Sequence, residues 1–201
     1  MAVAGLKFGM AALLIAAGLV EGTQGVYILA KANLAQMLLQ RAWQSSLASG
    51  EDTRPWPWAD TWPVARLRAP THHIDQIVLA GVSGNVLAFG PGLMQASAAP
   101  AERGHSLISA HRDTHFRFLK DLETGDALYL MSRQGRERRY RVTATQVVDT
   151  RKAGQTLFEG DALTLVTCYP FDAVVPGGSL RYLVRAEADP EPGVDALSNV
   201  F

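Results

Sequence analysis

A chain of 201 residues, 48 % hydrophobic and 19 % charged, is long enough to bury one substantial core and to carry an appendage besides. Nineteen basic residues balance nineteen acidic ones, so no global field draws in a polyanion, and this counts against nucleic acid as a partner. The single cysteine, Cys168, excludes an intramolecular disulfide scaffold but does not decide the compartment.

The N-terminus says more about location. Leu6 to Val20 is apolar apart from Lys7, and apolar character resumes at Val26 to Ala30 after Glu21-Gly22-Thr23-Gln24-Gly25. The first run is shorter than the roughly 20 residues that cross a bilayer, but Phe8 to Ala30 is long enough with Glu21 near one interface. Residues 1–30 therefore read as an uncleaved transmembrane anchor, with a cleaved signal peptide and a soluble helix as the alternatives. Lys7 favours an N-in orientation, although Lys31 and Arg41 beyond the span weaken that signal.

Residues 31–55 read as a helical stalk, with Leu34, Met37, Leu38, Arg41 and Trp43 at mixed helical spacing. Ser49-Gly50-Glu51-Asp52 breaks it, and Pro55, Pro57 and Pro63 cannot continue it, because each lacks a donor and restrains the residue before it. A domain at 56–190 follows. Trp56, Trp58 and Trp62 suggest an extended arm packing its rings on that domain, in preference to a carbohydrate or peptide platform.

Beyond Pro63 short β-type runs take over. Eight strands are expected: Val64–Arg68, Ile74–Ala80, Val86–Phe89, Ser106–Ala110, Ala127–Met131, Arg138–Asp149, Ala162–Cys168 and Leu180–Ala186. Turn residues separate them at Gly81 to Asn85, Gly90-Pro91-Gly92, Gly125-Asp126, Gln134-Gly135, Gly160-Asp161 and Pro176-Gly177-Gly178. Short helical turns are expected around Gly92–Ala98 and Phe116–Leu122. Many short strands at this spacing predict a mainly β barrel or sandwich. Residues 191–201 read as a C-terminal tail. Arg133, Arg136, Arg138, Arg139 and Arg141 alternate around Gln134-Gly135 as a hairpin tip with a solvated face, and lack the interleaved aromatics of a nucleic-acid surface.

Cys168 ends the apolar run Leu163-Thr164-Leu165-Val166-Thr167, where a lone thiol is either a small buried hydrophobe or a nucleophile. A nucleophile needs a proton carrier and an electrophile stabiliser from elsewhere in the chain. His111 directly follows the run Ser106 to Ala110, so it too stands at a strand end, and Arg181 opens the strand after Cys168. Thiol, imidazole and guanidinium on one rim make an acyl-transfer site. From spacing alone, a core histidine and an exposed strand arginine describe the same residues.

Competing motifs fail. His111-Arg112-Asp113 begins like a kinase catalytic loop, but Phe118 stands where Asn is needed and no phosphate loop exists. His111 and His115 have zinc-ligand spacing without a His-Glu-x-x-His pattern or a second cysteine. No Gly-x-Ser-x-Gly elbow supports a serine hydrolase.

At these residues the sequence resembles a sortase. Gly104 to Phe116 resembles the family's catalytic-histidine segment, Thr164-Leu165-Val166-Thr167-Cys168 its nucleophile strand, and Leu180-Arg181-Tyr182-Leu183-Val184 its arginine strand, in the order His, Cys, Arg. Trp58 to Leu67, Leu87 to Gly92, His111 to Phe116 and Thr167 to Asp172 together resemble the class GN sortases of Gram-negative bacteria. Ala110 departs from the glycine that many sortases have before the histidine.

The resemblance implies an eight-stranded sortase-type β-barrel on a single-pass inner-membrane anchor, facing the periplasm. It implies that Cys168 attacks an LPXTG-like C-terminal sorting signal of an exported protein, that His111 moves protons to and from the amines, and that Arg181 binds the substrate backbone or the oxyanion. Thr167, Tyr169 and His115 are the candidate substrate contacts, with hydrogen-bonded packing as the simpler role for His115 and His105. An amine acceptor is implied, with no metal or organic cofactor. A protease that only hydrolyses and a noncatalytic periplasmic binding domain are the alternatives.

Overall fold

The computed structural model describes residues 2–152, 160–173, 175 and 177–190; the side chains of residues 2–9, 11 and 12, and the expected tail at 191–201, lie outside the described residues. The contacts divide the chain into two units, Met1–Leu38 and Leu39–Phe201.

The first unit is helical, part of a continuous helix α1, Ala2–Ser49. Its apolar side chains are exposed around the helix, among them Leu13, Leu14, Ile15, Leu19, Val26, Ile28 and Leu29. A helix apolar on all sides needs a nonpolar surround. It is long and apolar enough to cross a membrane, with a window of mean hydropathy 1.5. At 1.5 Å per residue, Phe8 to Ala30 spans about 34 Å, against about 30 Å of hydrocarbon.

In the second unit the end of α1 is a packing element. Leu39, Ala42, Trp43 and Ser46 are buried at the i, i+3, i+4, i+7 spacing of one helix face. This face is offset from the one expected in the sequence, since Leu34 and Met37 are exposed. Gly50 closes the helix: its φ of 72° is open to glycine, and its N–H bonds to the Ser46 carbonyl at 2.8 Å. The arm that follows runs beside the end of the second strand, where Ala80 N–H donates to Trp62 O at 2.9 Å. Trp56 packs edge-on against Phe89 at 5.0 Å, whereas Trp58 is exposed.

Eight strands then close into a barrel. They are β1 Pro63–Ala69, β2 Ile74–Ala80, β3 Gly92–Leu93, β4 His105–Ser109, β5 Ala127–Ser132, β6 Glu137–Asp149, β7 Ala162–Cys168 and β8 Leu180–Ala188. Their order around the barrel is β1-β2-β3-β4-β7-β8-β6-β5. The eight-stranded barrel expected from the sequence is therefore present. Alternation makes the inside: Ala65, Leu67 and Ala69 on β1, Leu128 and Leu130 on β5, Tyr140 and Val142 on β6, Leu163 and Leu165 on β7, and Val184 and Ala186 on β8 form one buried cluster. Each large apolar side chain there contributes about 1.5–3 kcal/mol by leaving water. Phe116, Phe118, Leu119 and Leu122, in and around a 3-10 helix at Arg117–Asp121, belong to the same core.

Two sequence expectations are corrected. Val86–Phe89 is not a strand; Gly84–Leu87 forms a short helix, α2, whose Ser83 cap accepts from Val86 N–H at 3.4 Å. Gly92–Ala98 does not begin as a helical turn; Gly92–Leu93 is β3, parallel to β2 and antiparallel to β4. A side chain at Gly92 would come within 2.0 Å of the Gly81 carbonyl oxygen, so glycine here serves close strand approach rather than a turn.

The arginine hairpin keeps its expected solvated face at Arg136, Arg139 and Arg141, with one exception. Arg138 turns inward, only 9 % exposed, and donates to both Asp161 oxygens at 2.6 and 2.5 Å. Arg133 pairs with Asp52, Arg136 with Glu102, and Arg139 and Arg141 with Asp189, so the cluster presents little unpaired charge. Asp161 also accepts from Gly104 N–H at 3.1 Å, which ties the entry of β7 to that of β4.

Candidate active site

The site is built on one parallel strand pair. β4 and β7 run side by side with His105 opposite Ala162 and Ser109 opposite Val166. Two residues past that last pair stand His111 on one side and Cys168 on the other. Beyond the ladder, Ala110 N–H still bonds to Val166 O at 3.2 Å, and the buried Thr167 hydroxyl donates to Ala110 O at 2.8 Å. The two strand ends are thus held together at the residues next to the imidazole and the thiol.

On its other side β7 pairs with β8, and Cys168 lies directly opposite Arg181. Alternation along β7 sends Leu163 and Leu165 into the barrel, which puts Thr164, Val166 and Cys168 on the outer face. Cys168 and Arg181 are half-buried and His111 is exposed. The Arg181 guanidinium rests on the carbonyls of Gly178 and Leu180, at 2.8 and 2.9 Å, and has no carboxylate partner among the described residues. The backbones of the three residues picked out in the sequence therefore stand at neighbouring strand ends.

The other predicted residues divide. Tyr169 stacks on Tyr182 at 6.1 Å, and Phe171 meets the same ring edge-on at 5.1 Å, so aromatic packing seats the segment after the cysteine. Tyr169 N–H bonds to Leu180 O at 3.1 Å and is committed to the ladder. Thr167 is 1 % exposed and faces inward. His115 is half-buried; burial first, and the charge of His111 second, hold its imidazole below the ordinary histidine range. Its backbone carbonyl accepts from Gln76 Nε2 at 2.9 Å. His105 is buried on the outer face, its Nε2 2.8 Å from the Thr164 hydroxyl.

One residue at the site has no assigned part in the sequence reading. Arg112, next to His111, is 7 % exposed and reaches the carbonyls of Pro170 and Ala173 at 2.5 and 2.9 Å, while Asp113 accepts from its Nε and Nη2 at 2.7 and 2.9 Å. Nothing in His-Arg-Asp shows that the guanidinium turns under the neighbouring loop. With Asp113, Arg117, Lys120, Phe171 and Asp172 it lines a cavity of about 390 Å³ beside the rim.

Chemically, a thiol, an imidazole and a guanidinium carried on neighbouring strand ends are the parts of acyl transfer: a nucleophile, a proton carrier and a fixed positive group for a developing oxyanion.

Comparisons with known proteins agree with this architecture. Residues 67–189 match the Sortase domain family. The chain is 33 % identical over 120 residues to Sortase D of Bacillus subtilis (strain 168), a match covering 59 % of this chain and 60 % of that relative, so it spans about three fifths of the relative's length. Among solved structures, sortase C-1 of Actinomyces oris is 28 % identical at a TM-score of 0.56, over 64 % of this chain and 74 % of that one. Sortase A of Corynebacterium diphtheriae is 25 % identical at 0.57, over 80 % and 86 %. With the family match covering most of the chain and the closed barrel in place, the chain belongs to the sortase family.

Proposed function

We propose that this protein is a cysteine transpeptidase that cleaves an LPXTG-like C-terminal sorting signal and passes the protein to an amine acceptor. The observation that carries this reading is the strand register that brings His111, Cys168 and Arg181 together: Cys168 opposite Arg181, and His111 level with it beyond the Ser109–Val166 pair.

In this mechanism the Cys168 thiolate attacks the carbonyl carbon of the signal's threonine, forming the C–S bond and pushing the carbonyl electrons onto oxygen. Arg181 binds the substrate backbone or that oxyanion. As the carbonyl reforms, the C–N bond breaks and His111 protonates the leaving amine. The thioacyl enzyme is then attacked by the acceptor amine, whose proton returns to His111, and the new amide leaves Cys168 free. Tyr169 and His115 contact the substrate on the rim, and Thr167 contributes from beneath by holding the Ala110 end of the histidine segment. Nucleic acid has no part in this reading, and no cofactor is needed.

The four segments Trp58 to Leu67, Leu87 to Gly92, His111 to Phe116 and Thr167 to Asp172 support placement with the class GN sortases of Gram-negative bacteria. On that placement residues 1–30 are a single-pass inner-membrane anchor, 31–55 a helical stalk or linker, and 56–190 the catalytic domain facing the periplasm.

The test is mass spectrometry of the full chain in detergent, incubated with the C-terminal peptide of a co-encoded exported protein. An acyl adduct on Cys168 that is discharged to an added amine supports transpeptidation. Hydrolysis unaffected by amine points to a protease, and the absence of an adduct sinks the reading.

A further inference from the structure

The turn that bears His111 is closed by Phe116 N–H on the His111 carbonyl at 3.0 Å, and the 3-10 helix Arg117–Asp121 starts at the next residue. Side chains three apart lie one above the other in such a helix, so Arg117 and Lys120 share a face. Both line the cavity of about 390 Å³ beside the rim, and neither side chain makes a hydrogen bond or ion pair among the described residues.

The facing wall is the turn after Cys168. It supplies Phe171, held edge-on to Tyr182 at 5.1 Å, and the exposed carboxylate of Asp172. Arg112 ties the walls together through Pro170 O and Ala173 O at 2.5 and 2.9 Å, so the space between them is preformed. Asp113 is already occupied by two hydrogen bonds from Arg112. Arg117 and Lys120 then face only Asp172, which leaves the cavity attractive to an anion. Its volume falls within the range of about 300–1,000 Å³ for small-ligand sites.

We propose that this cavity is the acceptor subsite and that the acceptor is an amine bearing a carboxylate, which Arg117 and Lys120 hold while the amine reaches the thioacyl carbon.

The inference rests on the transpeptidase reading, in which the arriving amine gives its proton to His111, the residue that opens this same turn. The amine nitrogen forms the C–N bond, the C–S bond breaks and its electron pair returns to Cys168. The carboxylate takes no part in these steps and serves to place the amine.

The test compares acceptors that differ in that charge alone. Glycylglycine and glycylglycinamide offer a terminal amine, and Nα-acetyl-lysine and its amide offer a side-chain amine. The full chain in detergent is incubated with the C-terminal peptide of the co-encoded exported protein and each acceptor, and mass spectrometry reads the ratio of ligated to hydrolysed product. That ratio is independent of how fast the thioacyl enzyme forms. In at least one pair the carboxylate member is expected to ligate about five- to tenfold better at low salt, and the pair that shows it tells a peptide N-terminus from a lysine-like side chain. Arg117→Gln combined with Lys120→Gln should bring the two members level, and about 0.5 M NaCl should narrow the gap in wild type.

Equal ratios within both pairs in wild type overturn the proposal, and so does a preference that survives in the double variant. If that variant loses its cooperative melt, the wild-type comparison and its salt dependence decide. A wild-type chain that forms no acyl adduct, or whose adduct only water discharges, sinks the transpeptidase reading and the subsite with it. An adduct discharged equally by all four acceptors sinks the subsite alone.

Discussion

Cys168 and Arg181 are direct partners in the antiparallel β7–β8 ladder, so the thiol and the guanidinium start from neighbouring backbones whatever their side chains do. Closure of the barrel therefore holds the pair in place, and each residue can be changed without removing a core contact.

Substitution at the rim should separate chemistry from folding. Cys168→Ala is expected to give no acyl adduct, His111→Ala to slow turnover by about 10²–10⁴-fold, and Arg181→Ala by about 10²–10³-fold. Thermal melts within a few degrees of wild type should accompany all three. Full activity in Cys168→Ala refutes the nucleophile assignment.

Thr167 joins the two strand ends through one buried hydroxyl. Thr167→Val keeps the shape and leaves the Ala110 carbonyl without that donor, which costs about 1–3 kcal/mol. Urea titration measures the loss. Turnover should fall as well, because the His111 segment is freed from β7, and unchanged turnover would count against that coupling.

Asp161 receives the inward-facing Arg138 and the Gly104 amide. Asp161→Asn is expected to cost about 1–2 kcal/mol at pH 7. Arg138 first, and the Gly104 amide with it, hold the Asp161 carboxyl below its ordinary range. Its contribution is therefore complete above the unfolded carboxylate range, near about 3.9, and is lost as pH falls through the lower folded value. Denaturation at pH 7 and in the acid range should show the gap between wild type and variant closing on acidification.

His115 behaves oppositely to a paired histidine. Burial holds its folded imidazole below the ordinary range of about 6.5, so as pH drops below that value the unfolded chain takes up a proton that the folded chain resists. Stability is expected to decline from pH 7.5 to pH 5.5 more steeply in wild type than in His115→Gln. Parallel declines in paired urea melts would show that His115 is not the responsible group.

Much of the barrel was legible because alternation carries it. Ala65, Leu67 and Ala69 on β1 and Tyr140 and Val142 on β6 follow the two-residue period, and their strands appear where that period puts them. β3 was misplaced because it is two residues long, too short to show a period, and its glycine signals close approach to Gly81 as readily as a turn. Val86 has a strand former's side chain, but Ser83 starts a helix there. Arg138 shares by alternation the face of Tyr140 and Val142, but its place in a run of arginines made it read as solvated. Its burial depends on Asp161, which reaches it from the start of β7.

By itself the sequence determined the apolar helix at the N-terminus, seven of the eight strands and the identity of the reactive candidates, since hydropathy, alternation and residue chemistry are local properties of the chain. Only the tertiary structure decided that His111 and Arg181 flank Cys168 from opposite sides, that Thr167 and Arg112 tie the two rim segments together, and that the buried face of α1 runs through Leu39 and Trp43. These are long-range pairings, set by which strands share an edge and by the register closure imposes, and no local pattern encodes them.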